Sequence, residues 1–109
     1  MITYDDFSKV DIRVGTVIQA ENLADGKYST HKLHIDFGPE IGQKKSCARL
    51  VRYKPEALIG RQVLAVVNFP PKQIGKNISE VLVLGVPDTD GNCVLIHPDS
   101  QIPPGAKLF

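Results

Sequence analysis

Between residues 68 and 80 the chain gathers Asn68, Lys72, Gln73, Lys76, Asn77, Ser79 and Glu80 into one connector. Lys72 and Lys76 are flexible cations suited to phosphate or carboxylate. Arg49 and Arg52 upstream add planar donors that grip such groups in pairs. Asn68, Gln73 and Asn77 both donate and accept, as reading a base edge or a peptide backbone requires. Ser79 and Glu80 open the following apolar run, where they either hold the connector in place or accept from a ligand donor. Pro70 and Pro71 stiffen the entry, since each ring fixes φ and removes a backbone donor. Binding groups are commonly displayed on such connectors. Tyr28, Tyr53 and Phe69 are the candidate stacking residues, but only 6% of the chain is aromatic. A base-stacking platform therefore has little material, whereas a shaped RNA held through phosphate and loop contacts needs fewer rings.

Catalytic and metal chemistry find no comparable cluster. His31 and His34 are three apart on an expected strand, so they face opposite sides and cannot chelate one metal together. Cys93 and His97 share a face but lie roughly 13 Å apart along a strand. Asp88, Asp90 and Asn92 resemble the start of a calcium loop, yet the glycine falls at position 91 and the twelfth position is Asp99. A hairpin turn accounts for them better. Cys47 and Cys93 fit no zinc or redox motif and read as two buried, reduced thiols. The expectation is a binding protein with no catalytic residue, no metal and no cofactor.

Net charge is +1, but it is unevenly spread. Residues 41 to 79 hold eight of the 13 Lys and Arg, at 44, 45, 49, 52, 54, 61, 72 and 76, against Glu56 alone. The segments on either side are acidic. A basic face that attracts phosphate or acidic polypeptide is the implication.

The elements that must carry these residues are short. Tyr4 to Lys9 reads as one helical turn. From Asp11 the pattern has period two, with Ile12, Val14, Thr16, Ile18 and Ala20 on one face; Gly15 suggests a bulge or sharp coil. Leu33, Ile35 and Phe37 define a second strand that ends at Gly38-Pro39. Gln43 to Val51 is a third, with Ser46, Ala48 and Leu50 on one face. Pro55 to Gly60 is a helical turn opened by proline and closed by glycine. Gln62 to Phe69, Glu80 to Val86 and Asn92 to His97 are strands four to six, the last two paired across Pro87 to Gly91. The acidic N-terminus is no signal peptide, and no apolar run reaches membrane-spanning length. A cytoplasmic protein with no membrane insertion is expected.

Five or six strands with single helical turns between them imply an all-β fold, and the size suits a five-stranded Greek-key barrel of the oligonucleotide-binding (OB) type over residues 1 to 109. Val63 to Val67 and Val81 to Leu84 are apolar at every position, so both strand faces need cover. The C-terminal segment from Ile102 can supply some. A second copy covers more, and a homodimer is predicted.

Several blocks in order carry a family resemblance: Asp11 to Val17, the Lys44-Lys45-Ser46 region and Asn68 to Leu84, and with them Ile35-Asp36-Phe37-Gly38, Tyr53-Lys54-Pro55-Glu56, Val66 to Pro71 and Ser79 to Gly85. Together they resemble the tRNA-binding-domain family of OB-folds, and within it the CsaA-like secretion chaperones, from about Phe7 to Leu108. The resemblance implies an OB barrel with terminal extensions, a homodimer, and non-catalytic binding of unfolded polypeptide or preprotein. Structure-specific binding of tRNA is the alternative. By position it implies a ligand surface at Asn68, Lys72, Ser79 and Glu80, with Lys44 and Ser46 nearby. Cys47 and Gln73 depart from the expected pattern, and the lost cation at Gln73 weakens the case for tRNA more than for peptide.

Overall fold

A computed structural model describes residues 1–24 and 28–109. After a capped helical turn α1 (Tyr4–Ser8) come β1 (Ile12–Asn22), β2 (His31–Asp36), a short helix α2 (Gly38–Ile41), β3 (Gln43–Ala48), α3 (Pro55–Leu58) and β4 (Gln62–Val66). Two three-residue strands follow, β5 (Lys72–Ile74) and β6 (Asn77–Ser79), then β7 (Leu82–Val83), β8 (Gly85–Pro87) and β9 (Cys93–Leu95). The main sheet is antiparallel in the order β3-β2-β1-β4-β7 and curls into a nearly closed barrel. The expected all-β class and OB-like barrel are what the chain forms.

The core lies inside that curl. Val17, Leu33, Ile35, Phe37, Leu58, Val63 and Ala65 have no exposed surface, and Leu50 and Val81 close the ends of the cluster. On β2 the alternation predicted for Leu33, Ile35 and Phe37 holds throughout. On β1 the single face from Ile12 to Ala20 does not persist. The register slips between Val17 and Gln19: before it Gly15 and Val17 are buried, Ile18 is 41% exposed, and beyond it Ala20 rather than Gln19 packs against the core. The bulge therefore sits three residues beyond Gly15. Gly15 serves a different purpose: a side chain there would strike Ile35 and come within 2.7 Å of the Phe37 ring. Only a residue without Cβ lets β1 lie this close to the core of β2.

The strands expected over 43–51, 62–69 and 92–97 shorten to β3, β4 and β9, and three other regions are built differently from expectation. The strand expected from Glu80 to Val86 breaks at Leu84 into β7 and β8, and β8 pairs with β9 across the predicted hairpin. Asp88 makes that turn, its carboxylate accepting from the N–H groups of Asp90 and Asn92 at 2.9 Å each. Gly38-Pro39 does not simply end β2 but opens α2. The connector after β4 contains the β5–β6 hairpin, which alternation does not reveal.

Within the chain β4 is largely covered, with Val63, Ala65 and Val66 buried, while the C-terminal strap is bonded to β1. Residues 105 to 108 run beside the first half of β1, with Val14 N–H donating to Ala106 O at 3.0 Å and Leu108 N–H to Ile12 O at 2.8 Å. Val14 and Val66 are each 4% exposed as a result of the whole packing. Arg13 secures the strap, bonding Asp11 through Nε at 2.6 Å and Gly105 O through a terminal nitrogen at 3.0 Å. The bond to Asp11 holds its charge more firmly than usual, raising its pKa. Leu82 and Val86 remain about half exposed, at 50% and 52%.

Candidate functional site

The barrel closes along β3 by unusual means. One edge of β3 pairs with β2; the other meets residues 79 to 81, largely through side chains. Glu80 N–H donates to Lys45 O at 2.8 Å, and Lys45 N–H returns a bond to the Glu80 carboxylate at 3.0 Å. Cys47 N–H donates to Ser79 Oγ at 3.0 Å. Ser46 Oγ, 1% exposed, donates to Val81 O at 3.1 Å. Only the Ser46 bond is buried, and there the hydroxyl supplies the partner that a buried C=O must find; the Ser79 bond is part-buried and the Glu80 bond exposed. Of the two roles open to Ser79 and Glu80, holding the connector is thus one that they fill.

Outside this seam lies a groove of about 600 Å³. Its walls are Phe69, Pro70, Pro71, Lys72 and Ile74 on one side and Tyr28, Ser29 and Cys47 on the other, with Ser79 to Leu82 between them. The β5–β6 hairpin shapes it. Gly75 at φ +58° takes the first central position of a two-residue turn, which a type II′ hairpin reserves for glycine. Strand alternation then turns Lys72 and Ile74 toward the groove and Gln73 away from it. The Lys72 side chain is exposed and has no ion-pair or hydrogen-bond partner among the described residues.

A second, polar depression of about 500 Å³ lies by the hairpin tip, lined by Glu21, Asn22, Lys32, Lys76 and Asn77 among others. Lys32 Nζ donates to Asn77 Oδ1 at 3.0 Å. Lys32 also stands opposite Cys47 on the neighbouring strand, so the two depressions adjoin.

The eight residues expected at the ligand surface therefore separate. Lys72, Ser79 and Glu80 line the groove, and Lys76 lines the polar depression. Ser46 points inward at the seam. Asn68 clips α1 to the end of β4, accepting from Asp11 N–H at 3.0 Å and donating to Lys9 O at 2.8 Å. Gln73 bonds the carbonyl of Gly75 in its own turn at 2.7 Å. Lys44 stands half-buried on β3, opposite Ile35, and lines neither depression. Of the other cations and rings considered, Arg52 pairs with Asp88 at 3.2 Å. Tyr53 is held inside, its hydroxyl accepting from Leu95 N–H and its ring lying under Arg61. Of the groove residues, Ser29, Ile74 and Leu82 go unmarked by sequence reasoning, and Cys47 figures there only as a buried thiol and a departure from the family pattern; their convergence in space marks them.

Cys47 and Cys93 are free thiols, half-buried rather than buried, and burial pushes both up in pKa, with Lys32 opposing the shift at Cys47. His31 is buried, one ring nitrogen 2.8 Å from Tyr53 O and the other 2.6 Å from Thr30 Oγ1. Among the described residues no three His, Cys, Asp or Glu side chains converge as metal ligands. No helix among them is long and apolar enough to cross a membrane.

A nearly closed antiparallel barrel of this strand order defines a structural class, OB-like, and comparison with known proteins gives that class its family. Residues 12–107 match the family described as "Putative tRNA binding domain", and the chain belongs to that family. Within it, the chain is structurally close to CsaA chaperones. It is 49% identical to the CsaA chaperone protein of Picrophilus torridus, with a TM-score of 0.93 and full coverage of both chains. It is 47% identical to chaperone CsaA of Bacillus anthracis str. Ames, with a TM-score of 0.91 over 100% of this chain and 99% of that one. It is also 36% identical over 108 residues to the methionine–tRNA ligase of Methanococcoides burtonii, covering 99% of this chain but only 16% of the ligase. The ligase of Methanothrix thermoacetophila matches in the same way, at 37% identity and 16% of its length.

Proposed function

We propose that this protein is a non-catalytic, CsaA-like chaperone that holds unfolded or export-bound polypeptide in the groove between Phe69 and Leu82. The observation that carries this reading is the groove's lining. It is mainly apolar, open, and large enough for one or two side chains of an extended chain. Full-length likeness to two CsaA chaperones supports it. Leu82 is half exposed at the rim, so burying it against a client removes apolar surface from water without disturbing the core.

A homodimer is part of the proposal. Tyr4, Phe7, Val10, Leu108 and Phe109 line one depression formed by both ends of the chain, and all are exposed. Such a patch is suited to a second copy. Sedimentation equilibrium at micromolar concentration should give twice the mass of one chain; the mass of a single chain would remove this part.

Binding of tRNA is the second reading, favoured by the family's description and by the paired cations Lys32 and Lys76 beside the hairpin tip. One experiment separates the two. A guanidine-unfolded client is diluted into buffer with excess protein, and tRNA retention on filters is measured in parallel. The chaperone reading expects suppressed aggregation that Leu82→Glu abolishes and Lys32→Ala with Lys76→Ala preserves. Unimpeded aggregation beside salt-sensitive tRNA retention, lost in the double lysine variant, would favour RNA.

A further inference from the structure

Strand β5 has a partner on one edge only. It pairs with β6 through Lys72↔Ser79, Gln73↔Ile78 and Ile74↔Asn77, and among the described residues no other segment hydrogen-bonds to it. In a two-residue hairpin the pair flanking the turn exchanges both backbone bonds, and the pattern alternates from there. Ile74↔Asn77 and Lys72↔Ser79 are then the bonded pairs. The N–H and C=O of Gln73 point outward from the free edge. Pro70 and Pro71, immediately before the strand, have no N–H to offer, and prolines of this kind keep an edge from extending indiscriminately. The edge is therefore open at one residue.

The same alternation turns Lys72 and Ile74, on either side of Gln73, toward the groove. A chain laid along this edge would place the residues flanking its own contact point over Lys72 and Ile74. Charge decides what those residues are. The groove's carboxylate, Glu80, is held by the Lys45 N–H, whereas Lys72 has no partner among the described residues. Lys45, whose backbone bonds Glu80, is exposed on the same outward side of β3 as Cys47.

We propose that the groove receives an extended polypeptide as an added strand on β5, anchored by the Gln73 backbone, with an acidic residue over Lys72 and an apolar residue over Ile74, two positions apart. Main-chain hydrogen bonds then give affinity while the two flanking side chains give a loose selectivity. The inference rests on reading the groove as a polypeptide site.

The test is fluorescence anisotropy with a labelled heptapeptide of glycine and serine containing a central aspartate-serine-phenylalanine. Replacing the middle serine by its N-methyl form removes the donor that faces Gln73, and should weaken binding roughly tenfold, the loss of about one hydrogen bond. Exchanging the aspartate for lysine should also weaken binding, and Lys72→Ala should erase the difference between those two peptides. Binding that is sensitive to Leu82→Glu but indifferent to N-methylation would overturn strand addition and leave the groove reading intact. Absence of any binding sensitive to Leu82→Glu would remove the groove reading, and this inference with it.

Discussion

Along one edge of β3, residues 43 to 48 meet β2 in unbroken antiparallel register from Asp36↔Gln43 to His31↔Ala48. Along its other edge the same strand meets Ser79, Glu80 and Val81 through two hydroxyls, one carboxylate and a single backbone bond. The first edge is specified by backbone geometry and by the buried row Leu33, Ile35 and Phe37. The second is specified by three polar side chains that no ladder requires. What the contrast teaches is where the barrel can be edited. A ladder survives most surface substitutions, whereas a side-chain seam can be opened one atom at a time. Because Ser79 and Glu80 also line the groove, opening the seam reaches the groove directly.

The sharpest way to break the comparison is to disturb the ladder side. Leu33→Ala should cost about 2–5 kcal/mol in denaturant unfolding, since a fully buried side chain leaves a cavity between β1, β2 and β3. A loss well below that would mean β2 is not the stronger edge. Next in size, Ser46→Ala with Ser79→Ala should cost about 1–3 kcal/mol, as Val81 O and Cys47 N–H lose their partners. Hydrogen exchange gives this prediction its edge. The amides of Lys45 and Cys47 should lose protection while those of Leu33 and Ile35 keep it. Equal loss across both sets would show one cooperative closure instead of two.

The smallest effect lies outside both edges, at the β8–β9 turn. Asp88 is held below the usual carboxylate range, first by the N–H of Asn92, then by that of Asp90 and by Arg52. A depressed carboxylate stabilises the fold above its ordinary pKa and stops doing so as pH falls through its lowered value. Asp88→Asn should therefore lower the thermal midpoint slightly at neutral pH, and the gap to the unaltered protein should close on acidification. A gap that widens in acid would reverse the sign of the argument. Exchange at the β3 seam should be unchanged.

How much of this was legible follows from what each signal measures. Alternation on β2 is strict because its inner residues have one environment, so Leu33, Ile35 and Phe37 read correctly. It fails on β1 because a bulge changes the phase after Val17, and no residue type announces that. The β5–β6 hairpin escaped notice because three-residue strands hold too few positions to show a period, although Gly75 before Lys76 is a turn signal. Asn68, Ser79 and Glu80 stand out in the sequence as hydrogen-bonding groups, and Ser46 enters through the family resemblance. Their partners are Asp11, Lys9, Cys47, Lys45 and Val81, and the longest of these links joins residues 59 apart in sequence, which only closure of the barrel brings together. Phe69, Pro70 and Pro71 stand out in the sequence, but the rest of the apolar lining does not. Cys47, Ile74 and Leu82 look like ordinary strand residues until the connector folds over them.

The depression formed by Tyr4, Phe7 and Val10 with Lys107, Leu108 and Phe109 has a further consequence. Chain enters and leaves this barrel at one spot. A unit whose two ends emerge together can be spliced into a longer polypeptide as a cassette, with no need to thread the host chain around it. It can equally be permuted, its old ends joined by a few residues and new ones cut elsewhere, with the order of strands in space preserved.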